Sequence, residues 1–220
     1  VNATGASWTS GSTHTFLTYA SKSGAGTFTN GTLSGGTGRQ SIGNIAAGAT
    51  AATFDVVVGN ASVTWASGDG GNWYNGQATG WTGTGVTDFV NGDTVTFGSN
   101  TTTATLTSDV TVASLTMNTA DHTLDGSNTL TNNGALSISG AFVQTLNVAG
   151  EHGAISVGVG STLALNNTNA LGSGTGTISM LGSASLLRFD FDANNLSTAR
   201  PISITAAGAV TARLTTNNPN

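Results

Sequence analysis

Charge is what this chain has least of. Asp, Glu, Lys and Arg make up 7% of its 220 residues, against about a quarter in ordinary soluble domains. The five cations, Lys22, Arg39, Arg188, Arg200 and Arg213, are scattered, and against ten acids they leave a net charge of −5. Such a distribution offers no basic patch to displace counterions from a phosphate backbone, so nucleic acid is not an expected partner. Cysteine is absent, which excludes disulfide scaffolds, thiolate metal sites and thiol nucleophiles together. No run approaches the ~18 apolar residues of a membrane helix, and membrane insertion is not expected of this chain. It opens at Val1 without a basic-then-apolar leader and reads as a mature form or a fragment of a longer protein.

What fills the gap is Thr, Ser, Asn, Ala and 32 glycines, with hydrophobic residues at 37%. That apolar content separates the chain from a flexible Gly/Ser linker and argues that it folds. The apolar residues alternate with hydroxyl residues in short runs. Val95–Phe97, Thr103–Leu106, Val110–Met117, Thr123–Leu124, Thr129–Leu130, Leu136–Ile138 and Val143–Val148 read as successive strands. Ile155–Val159, Thr162–Leu165, Thr177–Leu181, Leu186–Phe191, Ile202–Ile204 and Val210–Leu214 continue the series. Turn formers such as Asp125-Gly126, Asn133-Gly134 and Gly172-Ser173-Gly174 separate them. No window carries apolar residues at helical spacing over three turns, so almost no helix is expected.

Strands at this spacing suit a sandwich, a barrel or a solenoid. Neutral outward positions favour the solenoid, because parallel rungs bring like side chains within about 5 Å, where like charges repel. No fixed repeat period is visible, as loops of unequal length would produce. The organisation expected is a β-rich segment over 1–64, either a small β-sandwich or the end of another solenoid. An aromatic, Gly-rich junction is expected over 65–94 and a β-solenoid over 95–220.

The junction and the strands after it carry a resemblance. Val56-Val57-Val58, Thr64-Trp65, Gly71-Asn72-Trp73, Trp81, Phe89 and Asn91-Gly92-Asp93-Thr94-Val95-Thr96-Phe97 occur in that order. Together with Val112-Ala113-Ser114-Leu115-Thr116 and Thr123-Leu124-Asp125-Gly126 they resemble autotransporter-associated β-strand repeat proteins. The resemblance covers roughly residues 50–215; the Gly-Leu-Thr-Lys type segments that often punctuate such arrays do not occur. It implies a right-handed parallel β-helix in a large secreted or surface-exposed bacterial protein, hence an extracellular or cell-surface location, which the lack of cysteine also suits.

Several residues invite a chemical reading. Trp65, Trp73, Tyr74 and Trp81, flanked by Asp69, Asn72, Asn75 and Gln77, either stack on sugar rings or plug the end of a β-helix by burying about 150–250 Å² each. Asp190 and Asp192 flank Phe191, so strand alternation puts both carboxylates and Arg188 on one face. Such a trio would hold Ca²⁺ or act on a glycosidic bond, but a solvated strand with an Arg–Asp pair is the simpler account. Glu151-His152, between Gly150 and Gly153, reads as an exposed turn, and His14 and His122 stand alone without metal-ligand spacing. No cofactor, metal or catalytic residue is expected. The leading expectation is a non-enzymatic structural or adhesive β-solenoid that associates with itself. A carbohydrate-binding module centred on the tryptophans ranks second, and a polysaccharide-degrading enzyme third.

Overall fold

A computed structural model of the chain describes residues 1–5, 8–9, 11–21, 23–24, 26–34, 39–66, 70–190, 200–205 and 213–216. Every regular element among them is a β-strand. The chain divides into two compact units, Val1–Asn60 and Ala61–Asn220.

The first unit holds β1 (Ala3–Thr4), β2 (Thr13–Thr18), β3 (Leu33–Ser34), β4 (Gln40–Ala47) and β5 (Ala51–Val58). β2, β5 and β4 form an antiparallel sheet with β5 in the middle, and β1 pairs with β3 in parallel. Ala3, Ile42, Phe54 and Val56 make one small core with Trp8, Phe16 and Leu33 against it. Antiparallel pairing makes this unit something other than the tail of a solenoid. The Ala-rich stretch 46–52 is a hairpin corner, in which Gly48 and Ala51 close the tight turn by a 2.8 Å backbone bond.

The second unit is a parallel β-solenoid, as the alternation predicts. Its first turn contains β6 (Ser62–Trp65), β7 (Asn72–Trp73) and β8 (Trp81–Gly83). The next turns run β9 (Thr94–Phe97), β10 (Thr102–Leu106) and β11 (Val110–Val112), then β12 (Ser114–Met117), β13 (His122–Asp125) and β14 (Thr129–Asn132). They continue with β15 (Leu136–Ile138), β16 (Val143–Leu146) and β17 (Ala149–His152), then β18 (Ile155–Val157) and β19 (Thr162–Leu165). β20 (Ile178–Met180), β21 (Leu186–Phe189), β22 (Ile202–Ile204) and β23 (Arg213–Thr216) complete the series. Two long sheets form the walls, β6-β9-β12-β15-β18-β20-β22 and β7-β10-β13-β16-β19-β21-β23, and β11-β14-β17 form a third. β8 alone runs antiparallel, folding back on the edge of β6.

Alternation makes each strand present one row inward. On the first wall Val63, Val95, Leu115, Leu136, Ile155, Ile178 and Ile202 stack in register, as do Trp65, Phe97, Met117, Ile138, Val157, Met180 and Ile204. Down to Met180 these side chains are buried, each contributing about 1.5–3 kcal/mol. Successive members of the first row are 32, 20, 21, 19, 23 and 24 residues apart, which is why the sequence shows no period. The outward row, Thr64, Thr96, Thr116, Ser137, Ser156, Ser179 and Ser203, is a hydroxyl at every level.

The structure corrects two expectations. The segment 65–94 is not a junction between domains: it belongs to the solenoid as its enlarged first turn, with β6 stacked in parallel on β9. Val110–Met117 is two strands, because the chain turns a corner at Ala113, whose N–H bonds the Asp93 carbonyl one turn below. The expected strand Val210–Leu214 lies partly outside the described residues.

Candidate functional site

The aromatic candidates fall inside the first turn. Trp65, Trp73 and Trp81 are buried with Phe89 and Phe97. Their rings meet at close range, with Trp65–Trp81 centroids 4.9 Å apart, Trp73–Trp81 5.4 Å and Trp81–Phe89 5.1 Å. Tyr74 is half-buried beside them. Of the two readings of these rings, plug and sugar platform, burial supports the plug, because the faces a sugar would need are taken by one another. The flanking polar groups do not form a sugar-binding rim either: Asn72 is exposed, while the buried Gln77 side-chain amide has no hydrogen-bond partner among the described residues. Asn75 Oδ1 accepts the Asn91 N–H at 2.8 Å, and Asp69 lies outside the described residues.

The turn Asn91-Gly92-Asp93, which carries part of the resemblance, closes this enlarged turn. Asp93 is wholly buried, and its carboxylate accepts the N–H groups of Ala61 and Val90, each at 2.8 Å. Asn91 Oδ1 accepts Thr111 N–H at 2.9 Å from the next level. Gly92, with φ near 97°, supplies the left-handed corner between them.

Other acids work the same way. Asp109 accepts the N–H of Thr129 at 2.8 Å and Asp121 that of Val143 at 2.7 Å, in each case one turn further along. Asp190 is held by Arg188 through two 2.8 Å bonds from Nε, so the Arg–Asp reading of that strand stands, while Asp192 lies outside the described residues. Among the described residues no group of three or more His, Asp or Glu converges on a point.

Glu151-His152 is corrected from exposed turn to strand. Both belong to β17, with His152 turned inward and buried above Asn132 and Val112. Its Nε2 donates to the Ala170 carbonyl at 3.1 Å. Burial, and secondarily the nearby Arg200 guanidinium, lower its pKa to about 4, so the ring is neutral at physiological pH. Glu151, pointing outward, accepts the N–H and hydroxyl of Ser173 at 3.0–3.1 Å. Arg200, which no motif marks, is buried and spans levels: its guanidinium donates to the carbonyls of Gly153 at 2.7 Å, Gly176 at 3.2 Å, and His152. A shallow groove of about 430 Å³ runs over this corner, lined by Thr131, Asn133, Glu151 and Thr175.

His122 is likewise interior, in a polar row with Thr102 below and Gln144 above. Trp65 Nε1 donates to Thr102 Oγ1 at 3.2 Å, Thr102 lies 3.3 Å from His122 Nδ1, and Gln144 Nε2 donates to the Ala120 carbonyl at 2.7 Å. Burial against Phe97, 4.9 Å away ring to ring, pushes the His122 pKa below the usual imidazole value. His14, in the first unit, stacks on Phe54 at 5.5 Å with Nε2 at 2.6 Å from Ser12 Oγ.

Comparison with protein-family models, curated proteins and solved structures finds no match to this chain.

Proposed function

We propose that the chain is a structural and adhesive segment of an extracellular bacterial surface protein, of the autotransporter-associated β-strand repeat type that its sequence resembles, and that it extends, displays and self-associates. The observation that carries this reading is the commitment of its polar chemistry to building the coil. Asp93, Asp109 and Asp121 accept backbone N–H groups across turns, Arg200 ties three carbonyls, and the outward row of the first wall carries neutral hydroxyls. Parallel stacking spreads stability along an axis by nearest-neighbour contacts. A flat neutral strand surface lacks the charges that usually keep β-structures apart.

Sedimentation velocity over a wide concentration range, with negative-stain imaging of the concentrated sample, tests the self-association. Growth of elongated species with concentration is expected. A single monomeric boundary at the highest concentration overturns that part of the reading. Antibody labelling of intact source cells tests the location: labelling without permeabilisation is expected, and labelling only after it is the contrary result.

A further inference from the structure

The tryptophans of the solenoid offer no open face, yet the first unit contains an apolar site that is open. β2 pairs with β5 through a bulge. Thr15 lies opposite Thr53 and Leu17 opposite Ala52, leaving Phe16 as the extra residue. A bulge re-aims the side chains beside it, and opposed residues of a strand pair face the same side. Leu17 is thereby directed to the side of buried Ala52, while Phe16 still reaches Phe54, ring centroids 6.2 Å apart. Leu17 nevertheless remains 43% exposed and Phe28 40% exposed. The two line a pocket of about 340 Å³ with the ring of Tyr19.

Two of its walls are held in place. The Tyr19 hydroxyl donates to the carbonyl of Gly48 at 2.6 Å and lies 3.2 Å from that of Ala51, so its ring is fixed on the β4–β5 hairpin. Phe28 is braced edge-on by Phe16 at 5.0 Å. Ser21, Ser23 and Thr27 also line the pocket, and no charged side chain does so among the described residues. The volume falls at the lower end of the about 300–1,000 Å³ typical of small-molecule sites.

We infer that this pocket binds a neutral saccharide unit, its C–H face on Leu17, Phe28 and the Tyr19 ring and its hydroxyls toward Ser21, Ser23 and Thr27. The described lining offers no counter-charge to an ionic ligand, and a fully apolar ligand leaves three hydroxyl-bearing side chains without use. A pyranose supplies both an apolar face and a rim of hydroxyls. The site is independent of any self-association of the solenoid.

Saturation-transfer NMR on the full chain tests it, with maltose, cellobiose and N,N′-diacetylchitobiose as probes. Transfer to the ring C–H protons of at least one sugar is expected, weakened about tenfold or more by Phe28→Ala. Leu17→Asn changes an already exposed residue, keeps the fold by circular dichroism, and is expected to weaken binding comparably, so it decides the matter should Phe28→Ala unfold the unit. Absence of transfer to all three sugars, or transfer undiminished in a folded Leu17→Asn protein, overturns the assignment.

Discussion

At the scale of single residues, the interior imidazoles are the most consequential. His152 and His122 sit on inward rows, both with depressed pKa values caused first by burial. In the folded chain His152 stays neutral down to about pH 4, whereas unfolded it takes a proton near the ordinary value of 6.5. Between these values the unfolded state binds more protons, so stability falls as pH is lowered through that window and gains nothing from this group above it. A loss of roughly 2–3 kcal/mol between pH 7 and 4 is expected from His152. Urea denaturation at pH 7.5, 5.5 and 4.5 measures it. The difference between the parent and His152→Asn isolates this residue from the carboxylates, and equal pH slopes for the two proteins would refute the account. Glu151-His152 reads as a turn because glycines flank it and because β17, with Gly150 and His152 inward and Ala149 and Glu151 outward, lacks the apolar–hydroxyl alternation of the other strands. Those glycines are required by close stacking rather than by reversal of the chain.

That stacking belongs to the scale of elements. At the corner leading into the first wall, a Cβ on Gly134 would fall on the carbonyl of Ala113, one on Gly153 on that of Gly134, and one on Gly176 on that of Gly153. Gly153→Ala therefore forces two turns apart, and a destabilisation of at least ~2 kcal/mol by denaturant titration is expected. The rows on a strand differ in the same way. Leu124 is wholly buried in the row Ala104–Leu124–Leu146–Leu165, while Thr123 on the same strand is turned outward. Leu124→Ala is expected to cost about 2–5 kcal/mol and Thr123→Ala less than about 0.5 kcal/mol. Equal costs would contradict the inward and outward assignment. Strands of this kind were legible because apolar and hydroxyl residues alternate with period two. Corners were less so: Val110 to Met117 alternates almost without a break, and the bend at Ala113 is set by its bond to the turn below, a partner 20 residues away in the chain.

For the solenoid as a whole, the neutral outer row matters most. Ser156 and Ser179 face outward at adjacent levels of the first wall. Replacing both by Lys places like charges about 5 Å apart at the backbone. Ser156→Lys with Ser179→Lys is expected to suppress concentration-dependent growth in sedimentation while changing the thermal midpoint only slightly. Persistent growth at low salt would move the contact to another face.

Composition and alternation by themselves determined that this protein is built of β-strands, and they favoured parallel stacking with mostly apolar inward rows and mostly neutral outward rows for the solenoid, because those properties arise from side-chain period and from repulsion between neighbours; the antiparallel pairing of the first unit is not written in them. Tertiary structure decided which residues share a level, since turns of 19 to 32 residues obey no local rule. It also turned the tryptophans inward and brought Arg200 onto two earlier corners. Burial depends on what lies one turn away, and that distance is short in space and long in sequence.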